Sequence, residues 1–329
     1  MRAEAGRYGM MIGAQVMQGD EANAAGALGV LPRQVAGGAA PPRQTRRQFP
    51  IPGPWRDRAG RFSALKAAVF LAVLMPGAVE IAWWIGGDLG ARPLKAVLLA
   101  AGLWTVRLLL ITLAITPLRF LGQWSRVMQL RRMLGVATMA YALAHFSLYI
   151  ADENFRLVTV ALEIVRHIYL TIGFVALLGL VTLGVTSTDG WVRRLGRRWK
   201  TLHRLVYGIA VLGLLHFFMQ AKLNVSPAVL MAGCFVWLML WRVLPDRIRV
   251  RGWAVLALAP VAAAITAGLE YAWYGIATRI DPMRVLDANF SLAHGPRPAV
   301  WIGIAGLAIA VAVLLRRLEV MLQDRRRAA

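Results

Sequence analysis

Residues 193–217 read RRLGRRWKTLHRLVYGIAVLGLLHF and combine a basic start with a long apolar run. Five of the first eight residues are arginine or lysine, and from Leu205 onward the only ionisable side chains are those of Tyr207 and His216. Arginine and lysine beside an apolar helix are typical of the cytoplasmic flank of a membrane-spanning segment. The stretch therefore predicts a helix that crosses a bilayer and carries a histidine inside it.

Seven further apolar runs of similar length occur in the chain, which has 329 residues and is 58% hydrophobic. A bilayer core takes roughly 20 helical residues to cross, and a spanning backbone must satisfy its own hydrogen bonds. We therefore predict an all-α fold, a polytopic membrane helical bundle. Its eight predicted spans are residues 64–85, 96–116, 133–150, 168–186, 202–219, 225–243, 253–276 and 300–315.

The net charge of +22 is concentrated in particular loops. In a soluble protein this charge would suggest nucleic acid as a partner, but here its placement indicates topology, so we predict membrane lipid and no nucleic acid as the partner. Basic segments follow spans two, six and eight and precede span five, whereas the connections between them are poorer in net positive charge. The positive-inside rule then predicts a multi-pass protein with both termini in the cytoplasm.

The chain is predicted to divide into three parts. Residues 1–60, rich in Gly, Ala, Pro and Arg, form a disordered cytoplasmic tail. Residues 61–245 hold six spans in one bundle, and residues 246–329 add two spans joined by a loop in which Asp281-Pro282 and Gly295-Pro296 predict that no helix runs through. No convincing internal repeat is evident, and the single cysteine, Cys234, allows neither a disulfide framework nor a thiolate metal site.

Three of the five histidines lie within or at the edge of predicted spans: His145, His203 and His216. Ionisable residues inside a membrane usually bind, relay or pair, and imidazole is a strong ligand of haem iron. His145 lies 13 residues after Arg132 and His216 lies 16 after Lys200, in spans that run parallel. With a rise of about 1.5 Å per residue, the two rings reach a similar depth and can face each other across one haem. A lone buried histidine is more often a hydrogen-bonded core residue, so the prediction depends on the pair.

His203 is a candidate ligand of a second, inner haem. It precedes His216 by 13 residues, which leaves the two rings about 140° apart around an ideal helix. One cavity would receive both rings only if span five is distorted, which Gly208 and Gly213 would permit. The positions 14 and 13 residues before His145 are Arg131 and Arg132, so an inner haem would need a different second ligand, a water, or none.

Arg107 places a charge in the middle of span two, where a charge without a partner is unfavourable. A haem propionate or a quinone oxygen would provide that partner, and an ion pair with Glu80 of span one is an equal alternative. His167 and His294 fall in predicted loops, and we expect both to be solvated.

Four stretches carry a resemblance to a known family. They are LLLITLAITPLR at 108–119, RRMLGVATMAYALAHFSLY at 131–149, YLTIGFVALLGLVTLGVTST at 169–188 and RRLGRRWKTLHRLVYGIAVLGLLHF at 193–217. They resemble the MsrQ (formerly YedZ) family, the haem-binding membrane subunits of bacterial periplasmic protein-methionine-sulfoxide reductase systems, a branch of the ferric-reductase-like transmembrane proteins. The resemblance covers residues 63–244 and implies a six-helix ferric-reductase-like core. The two extra C-terminal transmembrane helices depart from the family pattern, since the short family members lack them.

The resemblance implies haem b, one or two per chain, and FMN as a further cofactor. It implies His145, His203 and His216 as ligands of haem iron, with Arg131 and Arg107 at basic cofactor-binding positions. The implied role is that of an electron-transfer subunit in the bacterial inner membrane rather than a catalytic subunit. Electrons would come from the quinone pool or a cytoplasmic flavin reductase. They would reach a periplasmic molybdopterin-containing methionine-sulfoxide reductase that repairs oxidised proteins.

Two other functions stay open at the level of sequence. A stand-alone ferric or quinone reductase would need a cytoplasmic flavin and nicotinamide domain, for which the sequence shows no motif. A small polytopic transporter would bind no haem. The absorption spectrum on reduction distinguishes these possibilities.

Overall fold

The computed structural model describes residues 53–56, 60–221, 224–291 and 295–328, and this part of the chain is almost entirely helical. Eight helical segments in it are long and apolar enough to cross a membrane, which confirms the predicted all-α bundle. Of the predicted tail, residues 1–52 and 57–59 lie outside the described residues. The α-helices are α1 (Ala64–Gly86), α2 (Pro93–Leu121), α3 (Arg131–Asp152), α4 (Leu157–Arg166), α5 (Ile168–Val185), α6 (Asp189–Leu195), α7 (Arg197–His203), α8 (Leu205–Gln220), α9 (Ser226–Val243), α10 (Gly252–Ala277), α11 (Pro282–Asp287) and α12 (Pro298–Ala328).

The spans run alternately between two ends of the bundle. One end, which we call the basic end, holds the segments 122–131, 186–204 and 244–251; the other, the far end, holds 87–92, 153–167, 278–291 and 295–297. The helices α3 and α8 both run from the basic end to the far end, so they are parallel. The two predicted histidine ligands therefore approach from the same direction on separate helices.

Tyr141 of α3 ties α1 to the bundle beside a proline. Pro76 lies inside α1 and cannot donate a backbone hydrogen bond. The Tyr141 hydroxyl donates to the carbonyl of Val73 at 2.8 Å and accepts from the amide of Gly77 at 3.1 Å. An unbroken helix would join those two backbone groups directly. The hydroxyl therefore satisfies both groups in a region where lipid cannot.

Span five is interrupted next to His203. Helix α7 ends at His203, Arg204 forms a turn, and α8 begins at Leu205. Arg204 keeps right-handed helical backbone angles, with φ −68° and ψ −21°, and Gly208 and Gly213 both lie inside α8, so the backbone conformation changes little between α7 and α8.

The C-terminal helices α10 and α12 pack on each other and on α9 through small residues. A methyl group added at Gly233 would lie 2.6 Å from Ile302, and one added at Gly306 would lie 2.7 Å from Ala259. This close approach buries α9 so well that Trp241 has no exposed surface. The two added spans therefore share one hydrophobic core with the six-span part.

A buried ion pair joins α10 to α12 near the far end. Arg297, just before α12, donates to a carboxylate oxygen of Glu270 at 2.6 Å. The Glu270 side chain is fully buried and that of Arg297 is 26% exposed. The pair supplies the partner that a carboxylate inside an apolar bundle requires.

The connection between these two spans contains a short helix that the sequence analysis did not predict. Pro282 is its first residue, and the side chain of Asp281 accepts a hydrogen bond from the amide of Met283 at 3.0 Å. Proline at the first position and aspartate just before it are a common helix start. The Asp281-Pro282 step thus begins α11 while still preventing one continuous helix.

Candidate cofactor site between two histidines

His145 of α3 and His216 of α8 face each other inside the bundle. Their ring centres are 6.4 Å apart and the ring planes are 78° to each other. With an imidazole–metal bond of about 2 Å on each side, two rings that share one iron have centres roughly 6 Å apart. The observed separation therefore matches that of two axial ligands of a single haem.

Backbone carbonyls fix the orientation of both rings. The Nδ1 atom of His145 lies 2.8 Å from the carbonyl oxygen of Leu98, and that of His216 lies 2.7 Å from the carbonyl oxygen of Tyr169. A carbonyl can only accept, so each Nδ1 carries the proton, and each Nε2 keeps its lone pair for a metal. This is the arrangement by which proteins orient metal-binding histidines.

Two glycines make room for the rings. A methyl group at Gly102 of α2 would lie 2.9 Å from the His145 ring, and one at Gly173 of α5 would lie 2.7 Å from the His216 ring. Non-bonded heavy atoms prefer about 3.5–4.0 Å, so any side chain here would displace the imidazole. Glycine at both positions allows each ring to lie directly against the backbone of the neighbouring helix.

These contacts occur twice in the chain, in a repeat that the sequence analysis did not detect. In the first half, Leu98 supplies the accepting carbonyl, Gly102 is the glycine and His145 is the histidine, and each has its counterpart 71 residues later. The pair α2 and α3 therefore holds one imidazole in the same way as the pair α5 and α8 holds the other. With the same spacing of 71 residues, the position that corresponds to His203 is Arg132.

A cavity of about 850 Å³ lies between α2, α3, α5 and α8 and contains both histidines. Ligand pockets are commonly about 300–1,000 Å³, so there is space for a cofactor of porphyrin size. Most of the lining is apolar, and it includes Phe146 and Phe174, whose ring centres are 5.6 Å apart with the ring planes at 45°. Among the described residues, Lys95 at the far end is the one lysine or arginine of the lining. These features fit a haem held by two imidazoles. Lys95 itself is paired with Asp152 at 3.3 Å.

His203 lies outside this cavity and is held by local contacts. Its ring stacks on Trp199 at 3.9 Å, its Nδ1 lies 3.1 Å from the Trp199 carbonyl oxygen, and its Nε2 lies 3.2 Å from the Ser187 hydroxyl. No other histidine of the described residues lies opposite it.

Positive charges converge around His203 at the basic end. Arg131 is close enough to repel both His203 and Arg242 electrostatically, and it makes no ion pair within the described part of the chain. Arg242 donates to the carbonyls of Leu113 at 2.5 Å and Leu238 at 2.9 Å. The cluster can attract an anionic or electron-rich group.

Arg107 also lies outside the cavity lining. Its guanidinium lies 4.7 Å from the centre of the Trp104 ring, and no ion pair joins it to Glu80. His167 pairs with Glu163 at 2.9 Å at the start of α5, and His294 is outside the described residues. The structure thus brings His145 and His216 together, and it brings neither His203 nor Arg107 into their cavity.

Leu98, Gly102, Tyr169, Gly173 and Lys95 are site residues that the sequence analysis did not single out. A carbonyl acceptor leaves no trace in residue type, because every residue carries one. The glycines do leave a signal, since each precedes its histidine by 43 residues. A search for equal glycine-to-histidine spacings would have found them.

Comparison with known proteins finds relatives of this chain. Residues 101–214 match a family described as ferric reductase like transmembrane component. The protein-methionine-sulfoxide reductase heme-binding subunit MsrQ of Rhodospirillum rubrum is 43% identical over 192 residues, which cover 58% of this chain and 90% of the relative. The subunit of the same name from Xanthomonas campestris pv. campestris (strain B100) is 45% identical over 188 residues, covering 55% and 86%. That of Azospira oryzae is 37% identical over 196 residues, covering 58% and 83%.

No solved structure matches the chain. The matches cover most of each relative and little more than half of this chain. The family region at 101–214 includes Gly102, His145, Gly173 and His203, and it ends two residues before His216.

Proposed function

The chain belongs to the MsrQ family, the haem-binding subunits of protein-methionine-sulfoxide reductases with a membrane electron-transfer role, and we propose that it transfers electrons across a bacterial inner membrane through one haem b. His145 and His216 would be the two axial ligands. When bound, such a haem would supply one-electron oxidation and reduction of its iron, and two imidazole ligands would leave no open iron position for oxygen.

The main support for this proposal is the distance between the two imidazole ring centres. Ring centres 6.4 Å apart, with both Nδ1 atoms engaged by carbonyls, leave two Nε2 atoms aimed into one cavity. The carbonyl hydrogen bonds account for the orientation of each ring separately, whereas a shared iron accounts for the distance between the two rings. We assign Lys95 to a propionate, since it is the cation of the lining; its present partner is Asp152 at 3.3 Å, and the propionate would share or replace that ion pair.

We propose that both termini lie in the cytoplasm and that the far end faces the periplasm. The excess of arginine at the basic end supports this orientation. His145 lies seven residues before the end of α3, so the iron would be roughly 10 Å from the far end of the helix at about 1.5 Å per residue. The electron would thus leave toward a periplasmic partner, for which we propose a molybdopterin-containing methionine-sulfoxide reductase.

We propose that the electron donor is bound at the basic end. Arg131, which lies near His203, and Arg242 supply positive charge there, and neither pairs with a carboxylate among the described residues. Such a cluster suits the phosphate of FMN, carried by a cytoplasmic flavin reductase, or the head group of a quinol. A second haem is a weaker fit, because both nitrogens of His203 already have local partners.

We propose that Arg107 is a cofactor-binding cation outside the histidine cavity. Its place over Trp104, in the apolar body of α2, suits an electron-rich group that approaches from the membrane, such as a quinone oxygen. A propionate of the haem between His145 and His216 is assigned to Lys95 instead.

The experiment is a redox difference spectrum of the full chain purified into lipid nanodiscs. Reduction should give the sharp alpha band of a six-coordinate b-type haem, and addition of the reductase catalytic subunit with a methionine sulfoxide should reoxidise it. No alpha band would refute the haem proposal and favour the transporter. A band that stays reduced after both additions would refute the proposed partner and leave the haem site standing.

A further inference from the structure

Helix α4 is apolar on two opposite faces. On one side Val160 is 4% exposed and Ile164 lines the histidine cavity. On the other side Val158 is 76% exposed, Leu162 46% and Val165 80%. With about 100° per residue, positions 158, 162 and 165 form one stripe along the helix. A helix that borders water would be polar on its outer face, so this stripe requires a cover.

The connections on both sides of α4 fix its level in the membrane. The chain leaves α3 through Asn154 and Phe155, whose φ angles are 53° and 58°, and it enters α5 directly after the extended residue His167. Such short links hold α4 where two apolar spans end, which is the boundary between hydrocarbon and headgroups. Its ten residues are too few to cross the roughly 30 Å of a bilayer core.

Charge at the two ends of α4 indicates what covers the stripe. Arg156 directly precedes the helix and Arg166 is its last residue, and both are exposed. Arginines that bracket an apolar stripe at the membrane boundary match the phosphates of lipid headgroups above an acyl layer. A lipid surface therefore satisfies the charge and the stripe together.

We propose that α4 is an in-plane membrane helix, with Val158, Leu162 and Val165 inserted among the lipids of the leaflet at the far end. Its inner face is part of the cavity wall, where Glu163 is held by His167 at 2.9 Å and lies beside Ile164. Lipid contact on one face thus keeps the other face closed over the cofactor. The in-plane placement stands by itself, whereas the closure of a haem cavity rests on the proposed function.

The placement is tested by single-cysteine labelling of the full chain with Cys234→Ala as background. A fluorophore is attached to Val158→Cys or Val165→Cys in nanodiscs and is quenched with lipids brominated on the acyl chain or with iodide in water. Thr159→Cys, exposed on the flank of the helix, is the matched control. We expect brominated lipid to quench positions 158 and 165 at least several-fold more than position 159, and iodide to show the reverse order.

Equal quenching of positions 158 and 165 by iodide and by lipid would overturn the in-plane placement. Protection of these positions from iodide only after the reductase subunit is added would also overturn it, because the stripe would then be a protein contact. Neither readout needs haem, so a missing alpha band in the same sample would refute the proposed function alone.

The double variant Val158→Glu with Val165→Glu tests whether lipid contact of α4 keeps the haem cavity closed. Carboxylates on the stripe should withdraw α4 from lipid and raise the fraction of reduced haem that binds carbon monoxide, relative to Thr159→Glu. A fluorophore on Leu162→Cys, the third residue of the stripe, reports lipid contact in the double variant. If the double variant keeps the carbon monoxide resistance of the unaltered chain while this label loses lipid quenching, the link between lipid contact and closure is wrong. If it does not assemble, the labelling result still decides the placement.

Discussion

At the scale of the residue, the Nδ1 atoms of His145 and His216 are committed to the carbonyls of Leu98 and Tyr169. Only the Nε2 atoms are left for iron, and removal of either ring leaves one axial ligand. We expect His145→Ala and His216→Ala to remove the alpha band of the six-coordinate haem, as measured in reduced purified protein, and to stop electron delivery.

His167→Ala is the matched control for these two variants. His167 contacts Glu163 at the end of α4 and not the other two histidines, so its removal should leave the alpha band in place. Retention of the band in both His145→Ala and His216→Ala would show that the iron, if bound, has other ligands.

Gly102 and Gly173, the glycines against which the two histidine rings pack, provide a second prediction at this scale. Gly102→Ala and Gly173→Ala would place a methyl group 2.9 Å and 2.7 Å from the ligand rings and turn each Nδ1 away from its carbonyl. We expect haem affinity to fall about 10- to 100-fold, as for other outer partners of metal ligands. The affinity is measured by haem titration, and the axial geometry by electron paramagnetic resonance of the ferric form.

Gly208→Ala separates this effect from a general loss of helix packing. Gly208 lies in α8, and a methyl group there would meet no atom within 4 Å. The Gly208→Ala variant should therefore bind haem in the titration with the same affinity as the unaltered chain. If Gly208→Ala and Gly173→Ala behave alike, the glycines have no specific part in holding the rings.

At the scale of the element, the Glu270–Arg297 pair decides how firmly α10 and α12 are joined near the far end. Breaking a buried ion pair typically costs about 3–5 kcal/mol. We expect Arg297→Met to destabilise the protein more than Glu270→Gln does, because Glu270 is fully buried while Arg297 reaches solvent. The unfolding temperatures of the two variants in nanodiscs show which one is destabilised more. The haem spectrum of both variants should match that of the unaltered chain.

The exposed pair Arg284–Asp281, 3.9 Å apart, is the control for that prediction. Exposed ion pairs contribute little to stability, so Arg284→Ala should leave the unfolding temperature unaltered. A loss of haem in Arg297→Met would mean that the extension supports the cofactor site as well as its own packing.

At the scale of the whole molecule, the described residues contain one histidine-paired cavity and no second histidine opposite His203. We expect one haem per chain, and we expect His203→Ala to keep that ratio while slowing reduction by the physiological donor. The ratio is measured as extracted haem per protein. A value of two in the unaltered chain that falls to one in His203→Ala would establish an inner haem in place of the donor site.

The amino-acid sequence determined the architecture and the candidate ligands. Apolar length alone selects spanning helices, because a backbone in lipid has no other partner for its hydrogen bonds. Histidine is costly in such helices, so His145 and His216 are conspicuous, and counting residues from the basic loops gives their depth without any knowledge of packing. The short helices α4 and α11 escaped prediction because their apolar or proline-bearing stretches are too short for periodicity to separate helix from loop.

Only the tertiary structure decided which side chains meet. The rotation of each helix about its axis depends on the packing of its neighbours, and residue spacing does not give it. The structure therefore turned His145 and His216 toward each other, while it turned His203 onto Trp199 and Arg107 onto Trp104. The carbonyls and glycines that hold the two rings belong to other helices, 47 and 43 residues earlier in the chain. Their part in the site follows from close approach of backbones, which residue type alone does not encode.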